Sequence, residues 1–151
     1  MGQYTYEIFF EEPLLFQKNG DVAACYLHWD GRLLLLQCGD HKDFAGMWGV
    51  PGGKREQGES ILECAQRELY EETQIALDLA CFTLVRSAFI RRDTVAYRYE
   101  MVRVDLSQSP AVAVSAEHKN YTWANRQEME RMPMIPGYFE LLDEYERASL
   151  L

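Results

Sequence analysis

A chain of 151 residues, 48% hydrophobic and 13% aromatic, has the makings of one globular domain able to bury roughly 70% of its unfolded surface. Its formal net charge of −9 sets the surface against phosphate polymers, which argues against a nucleic-acid binder that relies on a basic groove; no run of about 18 apolar residues is present to cross a bilayer. The acidic start (Glu7, Glu11, Glu12) lacks the basic and apolar regions of a secretory signal, and the widely spaced Cys25, Cys38, Cys64 and Cys81 form no zinc or disulfide pattern, so a reduced, cytoplasmic, single domain over residues 1–151 is expected.

In chain order, Tyr4, Tyr6, Ile8 and Phe10 alternate with Thr5, Glu7 and Phe9 and predict a half-buried first strand. Residues 22–28 and 32–37 flank Asp30-Gly31, whose glycine supplies the positive φ of a tight turn, and so predict a hairpin. The stretch Trp48-Gly49-Val50-Pro51-Gly52-Gly53 reads as a loop in which glycines let the backbone approach a ligand. It leads through Gly58-Glu59 into Ser60-Ile61-Leu62-Glu63, a capping box that starts a helix at Ser60. Residues 81–90 and 94–106 predict two long strands joined around Arg91-Arg92-Asp93, the second rich in β-branched and aromatic residues. Residues 121–124 predict a short last strand, Asn125 caps a helix reaching about Met132, and Pro136-Gly137 sets off a C-terminal helix over 138–148. This alternation of strand and helix blocks belongs to an α/β or α+β domain.

On the central helix, Ile61, Leu62, Ala65 and Leu69 form an apolar stripe, with Glu63, Gln66, Arg67, Tyr70 and Gln74 opposite. Glu68 and Glu72 interleave with Ile61, Cys64 and Ala65, and Glu71 lies just beyond, so carboxylates aim at the buried edge. Two like charges about 6 Å apart repel by roughly 3 kcal/mol at an effective dielectric near 20. A solvated face would cut that to a few tenths of a kcal/mol per pair, and that is the usual reading of an isolated E-x-x-E-E. The glycine-rich approach tips the balance here. Its spacing, Gly53-x4-Gly58-Glu59-Ser60, nearly matches a phosphate-binding loop, but Glu59 in the lysine's place would repel phosphate. A hard cation suits the site better, because Mg²⁺ takes carboxylate and carbonyl oxygens and bridges protein to substrate phosphates.

Together these spacings resemble the signature of the Nudix hydrolases, G-x5-E-x7-R-E-U-x-E-E-x-G-U with U apolar. Gly53, Glu59, Arg67, Glu68, Leu69, Glu71, Glu72 and Ile75 match, and Gln74 stands where the family has glycine. A non-glycine residue in a left-handed helix cap costs about 1 kcal/mol of strain or moves the helix end. The resemblance implies an α/β fold, a Nudix-type α/β/α sandwich with a mixed β-sheet between helices. It implies an enzyme that hydrolyses a pyrophosphate bond in a nucleoside diphosphate derivative, foremost a nucleoside triphosphate, oxidised or not, to monophosphate and pyrophosphate. ADP-ribose, nucleotide sugars, dinucleoside polyphosphates and dihydroneopterin triphosphate are alternative substrates, and a non-catalytic nucleotide sensor is the alternative class.

The same resemblance implies Mg²⁺, with Mn²⁺ as a substitute, held by Glu68, Glu71, Glu72 and the Gly52 carbonyl. Gly52, Gly53 and Glu59 lie at the cofactor, with Glu59 either a helix-dipole partner or an outer ligand. Glu71 and Glu72, oriented by Arg67, form the catalytic group, together with Glu117 from the segment 115–123 as general base or distal ligand. The expected partner is a small-molecule nucleotide, with no nucleic-acid polymer and no membrane; a homodimer is compatible. His118 reads as an exposed loop histidine. Arg86, Arg91, Arg92 and Arg98 are candidates for phosphate contacts against the plainer reading of solvated strand-end arginines. Phe16, Tyr97 and Trp48 read as packing residues, with base stacking the alternative.

Overall fold

The most apolar runs of the chain become the middle of an eight-stranded mixed sheet in a computed structural model that describes residues 5–150. The strands are β1 (Tyr6–Phe9), β2 (Gly20–Trp29), β3 (Arg32–Cys38), β4 (Trp48–Gly49), β5 (Gly52–Lys54), β6 (Thr83–Arg92), β7 (Val95–Asp105) and β8 (His118–Ala124). The helices are α1 (Ile61–Thr73), α2 (Arg126–Met129) and α3 (Tyr138–Ser149). The main order is β1-β6-β7-β2-β3-β4, with β5 added to β2 and β8 to β3. Strand β2 is the hub: all of Gly20 to His28 runs parallel to β7, Val22 to Ala24 pairs antiparallel with β5, and His28 and Trp29 turn into β3.

Strand periodicity divides the core into two layers. Ala23, Cys25 and Leu27 of β2 pack with Cys64, Ala65 and Leu69 of α1, while the alternate residues Ala24 and Tyr26 pack with Tyr138, Leu141, Leu142 and Tyr145 around α3. Burial on both faces is why β2 and β3 read as continuous apolar runs rather than alternating ones. The architecture is the expected α/β/α sandwich.

Several boundaries differ from the sequence expectations. Tyr4 lies outside the described residues, and the first strand covers Tyr6–Phe9. The hairpin at Asp30-Gly31 forms with both residues at positive φ, 52° and 70°. The stretch expected as a loop, from Trp48 to Gly53, instead supplies two short strands. A Cβ on Gly52 would run into the Ala23 carbonyl, so that glycine serves the approach of β5 to β2. Leu79–Cys81 forms a 3-10 turn, and β6 starts later and runs on to Arg92, because β1 pairs with it as far as Tyr6 opposite Arg92. Strand β8 begins at His118 rather than Tyr121; its polar start pairs with β3 at the sheet's edge, where no apolar alternation is needed. Helix α2 has the expected Asn125 cap but ends at Met129: the bonds from Arg131 and Met132 tighten to three-residue spacing ahead of Pro133.

Candidate active site

Helix α1 begins with the reciprocal bonds between Ser60 and Glu63 and ends with Gln74 at φ 64°, its N–H donating to the Tyr70 carbonyl. The helix end has not moved to spare Gln74; the residue takes the left-handed conformation itself. Between these caps the three glutamates differ in depth: Glu71 is exposed, Glu68 half-buried and Glu72 buried. The carboxylates at the helix's inner edge are therefore not a solvated face.

Arg67 organises the outer part of this cluster. Its Nε and Nη2 donate to the two oxygens of Glu59 at 2.9 and 2.8 Å, its Nη1 to Glu68 at 2.9 Å and Glu71 at 3.1 Å, and its Nη2 also to the Lys54 carbonyl at 3.0 Å. This bidentate bond from Arg67 holds the Glu59 carboxyl down at about 2. Both oxygens of Glu59 accept from Arg67, Oε1 also accepts from the Glu56 N–H at 2.9 Å, and the residue stands just before the N-cap of α1, outside the cleft lining.

Glu72 has no such partner. The Gly52 N–H donates to its Oε1 at 2.8 Å, and its Oε2 lies 4.0 Å from His118 Nε2. Burial pushes its carboxyl up to about 8, against the Gly52 bond and with the charges of Glu68 and Glu117 adding to the rise. Burial raises Glu68 too, although Arg67 opposes it. A Cβ on Gly53 would collide with the Glu68 carboxylate, so this glycine lets the side chain rest against β5.

These groups floor a cleft of about 750 Å³. Its walls are Lys42, Asp43 and Phe44 from the β3–β4 connection, Arg92 from β6, and the segment Ser115 to His118. Backbone bonds fasten the walls: Ser115 N to the Glu72 carbonyl (3.2 Å), Ala113 N to the Thr73 carbonyl (3.0 Å) and Gly39 N to the Glu117 carbonyl (3.0 Å). Glu117 thus stands in the cleft, exposed, with Lys42 Nζ 3.6 Å from its carboxylate. His118 is a correction. Far from an exposed loop residue, it opens β8 half-buried, with Nδ1 buried and unbonded, and burial lowers its pKa.

Of the four candidate arginines only Arg92 lines the cleft, bonded to Asp43 at 2.7 Å and stacked over Phe44 at 4.8 Å. Arg86 serves Glu144, Arg98 pairs with Glu100, and Arg91 lies over Phe9 and Phe16. The aromatic ring in the cleft is Phe44; Phe16, Tyr97 and Trp48 lie elsewhere, as packing residues. Lys42 and Phe44 carry no motif, and only the fold brings their connection beside α1.

Among the described residues no three His, Cys, Asp or Glu side chains already converge on one point, because Glu68 and Glu71 are turned onto Arg67. The donor chemistry still fits a hard divalent cation. Three carboxylates of graded depth share one cleft, and the deepest, Glu72, has only one N–H to offset the burial that opposes its charged form, a cost that a cation in the cleft would remove. Glu68, Glu71 and Glu72 are the groups that could hold such an ion.

The sequence profile of the NUDIX domain matches residues 18–145. An uncharacterised Nudix hydrolase of Bacillus subtilis, YvcI, is 32% identical over 124 residues, covering 81% of this chain and 76% of the relative. A CTP pyrophosphohydrolase of Escherichia coli is 27% identical over 128 residues, covering 85% and 92%. The solution structure of the E. coli ORF135 protein superposes with a TM-score of 0.70 at 28% identity, covering 91% of this chain and 94% of that one.

Proposed function

Because the chain belongs to the Nudix family of enzymes that hydrolyse pyrophosphate bonds, we propose that its substrate is a nucleoside triphosphate, cleaved to the monophosphate and pyrophosphate with Mg²⁺, and that Glu68, Glu71 and Glu72 hold the metal. The observation that carries this reading is Glu72, a buried carboxylate that faces the cleft without a cationic partner. A relative named for CTP, aligned over nearly its whole length, supports a triphosphate substrate, and 750 Å³ is ample for a nucleotide.

When bound, the divalent ion supplies charge neutralisation on the phosphates and acidifies water for attack at phosphorus. Everything else falls to side chains of the protein. The Gly52 N–H fixes Glu72, and Arg67 keeps Glu68 and Glu71 at the rim of the cleft, from which both would turn inward to hold the ion. Across the cleft Glu117 accepts the proton of the attacking water; the new P–O bond forms as the bridging P–O bond breaks and pyrophosphate leaves. His118 screens Glu72 from solvent at the cleft wall. The whole chain is taken to work as one domain.

A panel of nucleoside triphosphates, ADP-ribose, nucleotide sugars and dinucleoside polyphosphates, each with and without Mg²⁺ and with products identified by chromatography, tests this. The expected result is Mg²⁺-dependent release of pyrophosphate and monophosphate from a triphosphate. Release of two monophosphate-containing products from ADP-ribose or a sugar nucleotide alone would overturn the substrate assignment.

A further inference from the structure

Among the described residues, four side chains bring positive charge to the cleft or its edge, and they are not equally engaged. Arg67 reaches Glu59, Glu68, Glu71 and the Lys54 carbonyl, and Arg92 is bonded to Asp43 while lying over Phe44. Lys54 ends β5 and lines the cleft. Lys42 is different: it stands on the opposite wall, 3.6 Å from Glu117 Oε2, with the two side chains 42% and 57% exposed. An exposed pair at that separation is held weakly and exchanges readily for a better partner.

The surrounding backbone is built to keep Lys42 there. Gly39 N–H donates to the Glu117 carbonyl, and a Cβ on Gly39 would stand only 2.8 Å from that same oxygen, so the approach of the two segments requires glycine. Lys42 N–H then donates to the Gly39 carbonyl at 3.1 Å, closing a turn that carries the lysine over the cleft. Its charge is felt at Glu72 and His118, across the space where phosphates would lie.

We propose that Lys42 binds a phosphate oxygen of the substrate and, in leaving Glu117 to do so, frees that carboxylate to take the proton of the attacking water. The ion pair is a latch that substrate opens. This rests on the pyrophosphohydrolase reading and on Glu117 as proton acceptor, and it adds a positioning residue that the helix signature does not contain. A phosphate chain carries more charge than one carboxylate and offers several oxygens, so it competes successfully for a lysine held at 3.6 Å. Until it arrives, Glu117 is occupied by Lys42.

The test is a titration of the full chain in Mg²⁺ with methylene diphosphonate, a hydrolysis-resistant pyrophosphate analogue without a base, followed by phosphorus NMR. Lys42→Met is expected to weaken binding about tenfold, with Lys42→Arg retaining most of the affinity. Glu117→Gln is expected to tighten binding about threefold in the otherwise natural chain, by releasing Lys42, and to have no effect in the Lys42→Met background. Equal affinity for Lys42→Met and the natural chain overturns the latch, as does a Glu117→Gln shift that is the same in both backgrounds. Failure of the underlying reading looks different: the natural chain would then turn over no nucleotide at all, whereas turnover with a flat Lys42→Met titration sinks the latch alone.

Discussion

Glu72 and Glu144 lie equally deep, each 6% exposed, on helices packed against opposite faces of the same sheet. Glu144 of α3 is met by Arg86 Nε at 2.9 Å and by Arg147, and a third buried glutamate, Glu100 of β7, is met by Arg98 and the Ser87 hydroxyl. Glu72 receives one backbone N–H and faces the cleft. The difference separates structure from function. A carboxylate buried to hold a fold brings its own cation, because an unpaired buried charge is costly; one buried to hold a ligand leaves the cation to come from outside.

The largest effect expected from this contrast is on turnover. Glu72→Gln should lower kcat/KM by about three orders of magnitude while circular dichroism stays that of the natural chain, and chelation with EDTA should match it. Glu144→Gln should leave turnover within about twofold and lower stability by about 1–2 kcal/mol, read from urea midpoints, since it weakens the bonds of Arg86 and Arg147. Loss of activity in both variants to the same degree would break the comparison.

Between those extremes stands Arg67, which touches carboxylates rather than the space for substrate. Arg67→Met should lower kcat/KM about 10–100-fold and weaken Mg²⁺ binding, as expected when groups that orient metal ligands are removed. The pH dependence of the metal-free protein sharpens the point. Folded Glu72 titrates near 8, above the ordinary carboxylate value of 4.5, so the folded state binds that proton more tightly than the unfolded state. Its contribution is therefore most favourable below about pH 4.5 and is lost as pH rises toward 8. Urea midpoints in EDTA should fall across that window, less so in Glu72→Gln, and added Mg²⁺ should restore them. The smallest effect belongs to Gln74→Gly, which relieves a left-handed backbone at φ 64° and should stabilise the chain by roughly 0.5–1 kcal/mol without changing turnover.

The sequence was most informative where the chemistry is local. Ser60 and Glu63 cap within one turn, Asp30-Gly31 folds a hairpin on itself, and the spacing of Glu68, Glu71 and Glu72 places three carboxylates on one helix regardless of what surrounds it. That Gln74 falls at the helix end was legible for the same reason; that it takes the left-handed conformation rather than moving the end was left to the structure. What stayed hidden depends on contacts between distant segments. Lys42 and Phe44 enter the cleft because Gly39 bonds to Glu117 and Cys38 to Met47, and neither pairing has a periodic or compositional mark. His118 looked like a loop residue because a short edge strand can be polar; its place beside Glu72 comes from pairing with β3. The glycines at 52 and 53 were legible as special but not in purpose, since their close neighbours, Ala23 and Glu68, lie well apart from them along the chain.

The most direct measurement of the central claim is Mn²⁺ binding by water-proton relaxation enhancement, taken on the natural chain, Glu72→Gln and Glu144→Gln at one pH. The account predicts a site in the natural chain, weakened at least about tenfold in Glu72→Gln and untouched in Glu144→Gln. Equal Mn²⁺ affinity in all three proteins would mean that the buried carboxylate of α1 holds no metal, and would contradict it.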